Sequence, residues 1–302
     1  MSYLLSTKKR RVRHISFKAL IRGNKVSRSR WGTFFLLLFL FAGALIMALP
    51  MILIISNAFK PYDELLVFPP RLIPNNPTLK NFRDMFSILS SSYVPFLRFI
   101  FNSVFVTAAG TAGHIIISSM CAYPLAKKKF PGRNVIFNMI VFSLMFSATA
   151  SVISNYIIMS SLHWIDTYYS LIIPAFGSSL GLYLMKQFME QLPDSLIEAA
   201  RIDGASQWKI FWQIVMPNVK GAWLTLLMLS VQSLWGMGAN NYIYKEQLKT
   251  LPYALGQIMS GGIARAGVGA AVSLLMLIVP VVIFVFSQSN IVETMSSSGM
   301  KD

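Results

Sequence analysis

Six apolar runs of membrane-spanning length constrain this chain more than any other feature. They cover residues 33–56, 99–123, 135–159, 168–185, 221–241 and 266–286, and none of them contains Asp, Glu, Lys or Arg. Each is close to the roughly 20 residues that a helix needs to cross the hydrocarbon of a bilayer. The 302 residues are 55% hydrophobic and only 13% charged, with a mean hydropathy of +0.57. The sequence therefore predicts an all-α, polytopic membrane protein with six transmembrane helices.

The Lys and Arg residues are distributed unevenly along the chain. Ten of them lie in the first thirty residues, which contain no acidic residue. This basic tail, residues 1–32, leads straight into the first apolar run, which favours an orientation signal touching anionic lipid over a nucleic-acid-binding arm. With the N-terminus in the cytoplasm, the inner segments carry 19 Lys and Arg and the outer segments carry eight. The positive-inside rule then places both termini in the cytoplasm, and we expect no nucleic-acid partner.

The chain lacks the residues that would couple it to an ion gradient or to nucleotide hydrolysis. The apolar runs have no acidic or basic residue for ion coupling, and the chain has no phosphate-binding GxxxxGK[ST] motif. His114 in the second run is favoured as a packed, hydrogen-bonded residue over a proton relay. Energy is therefore expected to come from a partner, unless the protein is a passive channel.

The segment 192–219, which we call the elbow, is an amphiphilic stretch between two apolar runs. Its sequence predicts two short helices joined by a tight turn. Gly204 can adopt the left-handed conformation that ends a helix. Ser206 can cap the second helix, and Pro217 can end it. The elbow is too polar to cross a bilayer, so we expect it within a cytoplasmic loop over residues 186–220.

A specific motif lies within the elbow. Its members are Glu198, Ala199, Ala200, Asp203, Gly204, Ala205 and Pro217. Their order and spacing resemble the EAA loop of permease subunits in ATP-binding-cassette importers. In that family the loop docks into a cleft on the ATPase subunit, and the resemblance implies the same role here. The tail residues Gly299, Met300 and Lys301 are similar to a tail that, in the maltose-type relative, inserts between the ATPase subunits.

Other sequences extend the resemblance over most of the chain from the first apolar run onward. They are Asn102-Ser103 and residues 122–126, 130–133, 183–188 and 250–252. These are similar to the carbohydrate branch of the importers, and within it to the lipoprotein-associated oligosaccharide permeases of Gram-positive bacteria. The resemblance implies a bacterial plasma-membrane permease, with a six-span domain at residues 33–290 and a cytoplasmic tail at 291–302.

The resemblance also implies the partners of this chain. They are a second homologous permease chain, two ATPase subunits that bind ATP and Mg, and an external sugar-binding lipoprotein that delivers an oligosaccharide. The chain itself is expected to catalyse no reaction and to hold no cofactor or metal. A permease of the same superfamily for an amino acid, a polyamine or phosphate is an alternative, and an uncoupled channel is another.

Two sets of polar residues within the apolar runs are candidates for the substrate pathway. They are Ser143, Ser147, Ser151 and Asn155 in the third run, and Gln232, Trp235, Asn240 and Asn241 in the fifth. The four-residue spacing of the first set predicts a polar stripe on one face of a helix. Uncharged hydrogen-bonding groups beside an aromatic ring suit a sugar. The alternative is packing, because small polar residues also hold membrane helices together.

Overall fold

A computed structural model of the chain describes residues 30–90, 93–146, 151–238, 242–260, 262 and 265–298. This part of the chain contains helices and no strand, which confirms the predicted all-α class. Its helices are α1 (Arg30–Phe59), α2 (Tyr62–Leu65), α3 (Lys80–Ser90), α4 (Phe96–Lys127), α5 (Arg133–Ser143), α6 (Val152–Ser161), α7 (Tyr169–Phe176), α8 (Ser179–Glu190), α9 (Asp194–Ile202), α10 (Gln207–Asn218), α11 (Lys220–Trp235), α12 (Leu251–Met259) and α13 (Ala266–Ser298), with a short 3₁₀ turn at Glu246–Leu248.

The chain divides into two compact units, residues 1–52 and residues 53–302. The described part of the first unit is the N-terminal portion of α1. Its large apolar side chains are exposed, Phe39 and Met47 each to 78%. A helix that is apolar on all sides needs an apolar environment, which a bilayer or another membrane helix supplies.

Helix α4 is the central element of the second unit. It has 32 residues, which corresponds to a length of about 48 Å at 1.5 Å per residue. It packs against α7, α8 and α11. Its buried face carries uncharged polar residues at helical spacing, namely Ser103, Thr107, Thr111, His114 and Ser118. Such small side chains let membrane helices approach one another closely.

Two hydrophobic clusters pack against opposite ends of α4. Near its C-terminus, Ala122, Tyr123 and Ala126 pack with buried residues of α8, the elbow and α11. Near its N-terminus, Phe99 packs with buried residues of α3, α11, α12 and α13. Helix α4 therefore connects the elbow to the opposite end of the second unit.

Neutral hydrogen bonds tie the start of α4 to the segment before α12. The side-chain nitrogen of Asn102 donates to the carbonyls of Gln247 at 2.9 Å and Lys249 at 2.8 Å. The hydroxyl of Tyr168 donates to the side-chain oxygen of Asn102 at 2.7 Å. We call these four residues the clamp. Asn102 has no exposed surface, so the clamp satisfies a fully buried amide.

Three of the six predicted spans lie within single long helices. Residues 33–56 lie in α1, residues 99–123 in α4 and residues 266–286 in α13. In the part of the chain that the structure describes, these are also the helices long and apolar enough to cross a membrane alone. The bent pair α10 and α11 makes a fourth candidate if the pair is counted as one span.

The prediction of one continuous helix is wrong for the other three runs. Residues 135–159 contain both α5 and α6, residues 168–185 contain α7 and α8, and α11 ends before the run 221–241 does. Pro174 lies near the end of α7. The hydroxyl of Ser178 caps α8 by accepting a hydrogen bond from the backbone amide of Gly181 at 3.2 Å. Apolar length alone does not show such breaks, and the count of six crossings stays a prediction.

Candidate functional site

The elbow turns at Gly204, whose φ of +76° lies in the left-handed region. The amide of Gly204 donates to the carbonyl of Arg201 at 3.0 Å, and the amide of Ala205 donates to the carbonyl of Ala200 at 2.9 Å. This pair of bonds is the Schellman pattern, which satisfies the last carbonyls of α9. The predicted helix stop at Gly204 is confirmed, and a Cβ at this position would be strained.

Helix α10 begins at its predicted cap and contains a segment of unusual geometry. The hydroxyl of Ser206 accepts a hydrogen bond from the amide of Lys209 at 3.3 Å. Ile210–Val215 is π-helical, a wider form that often marks functional positions. The sequence predicts that this helix ends at Val215, before Pro217, but it continues through Pro217 to Asn218 and then meets α11 at a bend of 78°.

One face of the elbow is anchored in the core of the second unit. The anchoring side chains, each at most 8% exposed, are Ile197, Ala200, Ile210, Phe211, Val215, Met216 and Val219. They pack with residues near the C-terminus of α4 and with Met185 and Met189 of α8. A displacement of the elbow is therefore transmitted directly to α4, α8 and α11, because close-packed interiors resist compression.

The opposite face of the elbow is exposed. Five residues of the EAA-like motif lie on it, namely Glu198, Ala199, Asp203, Gly204 and Pro217. Large apolar side chains accompany them, with Ile202 exposed to 86%, Trp208 to 60% and Trp212 to 44%. Exposed apolar side chains next to charged ones are typical of a protein–protein interface.

The remaining two motif residues point into the molecule. Ala200 is 7% exposed and belongs to the anchoring cluster, and Ala205 is half-buried against the same cluster. Their small size therefore serves packing within this chain. Of the three alanines in the motif, only Ala199 is exposed.

Ion pairs surround the start of the elbow. Lys127 Nζ, at the end of α4, lies 2.7 Å from a carboxylate oxygen of Asp194 and donates to the carbonyl of Leu192 at 2.5 Å. The hydrogen bond from Lys127 and its positive charge hold the pKa of Asp194 below its ordinary value. Glu190 accepts from Lys186 at 2.7 Å and from Arg133 at 3.0 Å. These contacts link the ends of α4 and α8 and the start of α5 to the elbow.

The first predicted pathway set does not form one stripe. Helix α5 ends at Ser143, Ser151 precedes α6, and the prediction of an uninterrupted helix face is therefore wrong. The hydroxyl of Ser143 lies 2.6 Å from that of Ser179, a contact of the packing type. Asn155 is exposed on α6. Ser147 lies outside the described residues.

The second predicted pathway set is divided between two environments. Trp235 is 6% exposed, and its indole N–H donates to the carbonyl of Met276 at 3.1 Å, which holds the ring against α13. Gln232 is exposed. Asn240 and Asn241 lie outside the described residues, as do the tail residues 299–301. The structure thus shows that Trp235 packs against α13, whereas the side chain of Gln232 lies on the surface.

The sequence-based search for a pathway missed the polar face of α4. Ser103, Thr107 and Thr111 recur every four residues, and His114 and Ser118 continue the same helix face. That spacing is a signal that the sequence contains, because residues three or four apart lie on one face of a helix. Among the described residues, no group of three or more His, Cys, Asp or Glu side chains is arranged to hold a metal ion.

Comparison with known proteins identifies the family. Residues 19–296 match the family described as binding-protein-dependent transport system inner membrane component. The chain belongs to this family. The match covers the elbow and all the described helices of this permease except the last two residues of α13.

Three curated relatives are similar to this permease. Protein LplC of Bacillus subtilis (strain 168) is 35% identical over 66% of this chain, and the match spans 65% of LplC. The sn-glycerol-3-phosphate transport system permease protein UgpE of Escherichia coli O1:K1 / APEC is 30% identical over 89% of this chain and 97% of UgpE. The polygalacturonan/rhamnogalacturonan transport system permease protein YtcP of Bacillus subtilis (strain 168) is 32% identical over 68% of this chain and 70% of YtcP.

A solved structure has the same fold. It is the crystal structure of a bacterial ABC transporter involved in the import of the acidic polysaccharide alginate. One of its chains superposes on this permease with a TM-score of 0.72, covering 87% of this chain and 99% of that chain, at 22% identity. This permease therefore shares the fold of that chain.

Proposed function

We propose that this permease is the transmembrane subunit of an ATP-driven importer for an oligosaccharide that an external binding lipoprotein delivers. The structure of the elbow is the main support for the proposal. It combines an exposed face of charged and large apolar side chains with a buried face anchored on α4, α8 and α11. That combination suits a coupling element, which binds a partner subunit on one face and transmits the partner's movement to the membrane helices through the other.

The mechanism follows from the connections of the elbow. Closure of an ATPase dimer would press on the exposed face around Glu198 and Asp203. Helix α8 leads into α9 through three residues, 191–193, and α10 leads into α11 through the bend at Val219. Because Gly204 fixes the angle between α9 and α10, the elbow moves as one piece and rocks α4, α8 and α11 between outward-open and inward-open states.

The proposed assembly contains a second homologous permease chain and two ATPase subunits, which bind ATP and Mg. This chain binds neither and catalyses no reaction. Both termini and the elbow lie in the cytoplasm of a bacterial plasma membrane, with the basic tail against anionic lipid. The tail residues Gly299, Met300 and Lys301 are proposed to reach the ATPase subunits. Membrane lipid and the lipoprotein complete the set of partners.

The saccharide assignment is supported by the names of YtcP and of the alginate importer. The same comparison favours one alternative, because UgpE belongs to a system for sn-glycerol-3-phosphate, a small anion that is not an oligosaccharide. A permease for such a solute would keep the elbow and differ in its membrane cavity.

Two measurements test the proposal. An ATPase subunit should copurify with this permease in mild detergent, and its activity should rise when the cognate binding protein is loaded with one member of a panel of saccharides and sn-glycerol-3-phosphate. Glu198→Lys should abolish that stimulation with the chain still inserted, because it reverses a charge on the exposed face. Asp63→Lys also replaces an exposed acidic residue with lysine, but outside the elbow, and it should leave the stimulation of the ATPase unchanged. Equal stimulation in both variants would refute docking at the elbow.

A further inference from the structure

A cavity of about 400 Å³ lies between α4, α7, α8 and α11. Its polar lining comes from His114, Ser178, Ser230 and Ser233, and its apolar lining includes Leu226 and Leu229. A volume of this size is typical of small-molecule sites. His114 is the nineteenth residue of α4, about 27 Å from the helix start at 1.5 Å per residue. The cavity therefore lies far from both ends of α4.

His114 is held in a fixed orientation beside this cavity. It is 6% exposed, and its Nδ1 lies 2.5 Å from the hydroxyl oxygen of Ser230. If the Ser230 hydroxyl donates to Nδ1, the imidazole proton is on Nε2, which is then a donor. Among the residues that the structure describes, Nε2 has no hydrogen-bond partner, and neither does the hydroxyl of Ser118.

Gly181 of α8 covers both of these unpartnered atoms. A Cβ built on Gly181 would lie 2.1 Å from His114 Nε2 and 3.0 Å from the Ser118 hydroxyl oxygen. A buried polar atom without a partner costs free energy, so such atoms in a native protein call for an explanation. Helix α8 continues into the elbow. A movement of the elbow that shifts α8 along α4 would uncover Nε2 next to the cavity.

We propose that this cavity is a saccharide subsite, in which His114 donates a hydrogen bond to an oxygen of one sugar residue during passage. The inference rests on the proposed function. The described lining contains serine hydroxyls, an imidazole and aliphatic side chains, without Asp, Glu, Lys or Arg. Neutral hydrogen-bonding groups beside an apolar surface match the hydroxyls and the ring face of a sugar.

The test uses the intact importer, reconstituted with its partner subunits and binding protein, and three labelled probes. The probes are maltotriose, trigalacturonate and sn-glycerol-3-phosphate. His114→Ala should lower the uptake of a transported saccharide about tenfold, since one hydrogen bond is lost in the membrane interior. His114→Gln retains an N–H donor and should recover most of the uptake. The control is Ser119→Ala, whose buried hydroxyl bonds to the carbonyl of Ile115 within α4; it should transport normally.

A second readout is independent of transport. In a Cys121→Ser background, the Ser233→Cys variant presents a thiol at the cavity wall to a membrane-permeant maleimide. Saturating amounts of the transported saccharide should slow alkylation, whereas sn-glycerol-3-phosphate should not.

The outcomes separate this inference from the proposed function. Normal uptake in His114→Ala, or alkylation that no saccharide slows, would overturn the subsite while leaving the importer intact. Equal loss of uptake and of ATPase copurification in both His114 variants would show a merely structural histidine and would also overturn it. A wild-type importer that moves only sn-glycerol-3-phosphate would overturn the saccharide assignment itself.

Discussion

The two ends of α4 are tied to their surroundings by different kinds of contact. At the N-terminal end, the clamp consists of neutral hydrogen bonds around Asn102, which has no exposed surface. At the C-terminal end, Lys127 binds the start of the elbow through a carboxylate whose own side chain is 74% exposed. One end is closed to water, and the other is open to it.

This difference indicates which end of the helix moves. Buried neutral hydrogen bonds cannot exchange with water, so breaking them exposes unsatisfied groups at a high cost. Ion pairs at a surface exchange readily with water and salt and contribute little to stability. The clamp therefore fixes its end of α4. At the other end the ion pair can exchange with water, while the cluster of Ala122, Tyr123 and Ala126 keeps α4 and the elbow packed together, so the two can move as a unit.

Asn102→Ala should give the largest loss of stability. It removes the donor to the buried carbonyl of Lys249 and the acceptor of the Tyr168 hydroxyl, whereas the carbonyl of Gln247 keeps a bond from Arg98. We expect a loss of about 3 kcal/mol. Thermal unfolding of the detergent-purified importer measures this loss. Asn155→Ala removes the same side chain from an exposed position on α6 and should change the midpoint little. A similar shift in both variants would contradict a rigid clamp.

Two glycine variants compare the elbow with a regular helix. Gly204→Ala places a Cβ at a φ of +76° and should cost about 1–2 kcal/mol. Gly256→Ala lies within α12, where a Cβ would meet no atom within 4 Å, and should raise stability by up to about 1 kcal/mol. Opposite signs in the two melting shifts are the expected result. A stabilising Gly204→Ala would mean that the turn does not need its left-handed residue.

Local sequence signals predicted the elbow more accurately than they predicted the membrane spans. Gly204 and Ser206 act through bonds to residues within five positions along the chain, so their roles were visible in the sequence. The breaks between α5 and α6 and between α7 and α8 were missed because apolar length does not encode where a helix is interrupted, although Pro174 and the cap at Ser178 are local signals for the second break. The predicted end of the second elbow helix, Val215, was wrong by three residues, because Pro217 does not stop the helix, which continues to Asn218.

The residues of the candidate pathway were the hardest to predict from sequence patterns. Trp235 has the right chemistry for a sugar, yet its indole is bonded to α13. The prediction that His114 is packed and hydrogen-bonded is confirmed, but the residues that it contacts, Ser230 and Gly181, are far away in sequence and could not be identified from it. Which of several polar residues adjoins a cavity is decided by tertiary packing.

Lys127→Met should have an intermediate effect. Its side chain is only 4% exposed and donates to the carbonyl of Leu192 as well as to Asp194. Since methionine keeps the apolar stem, the loss should be about 1 kcal/mol, and it should persist in high salt because the carbonyl bond is partly buried. Lys129→Met removes the same charge at an exposed position and should cost less. Equal losses would attribute the effect to net charge rather than to the hydrogen bonds.

Asp194→Asn should give the smallest change in stability, and its effect should depend on pH. The hydrogen bond from Lys127 lowers the pKa of Asp194, so this carboxylate stabilises the folded state above its ordinary pKa of about 3.9, and the contribution is lost as pH falls through the lowered value. Wild type and variant should therefore differ slightly at pH 7 and converge under acid conditions. High salt at pH 7 should also remove the difference, because the pair is exposed. A difference that grows on acidification would have the wrong sign for this pair and would remove the contrast between an exchangeable elbow and a fixed clamp.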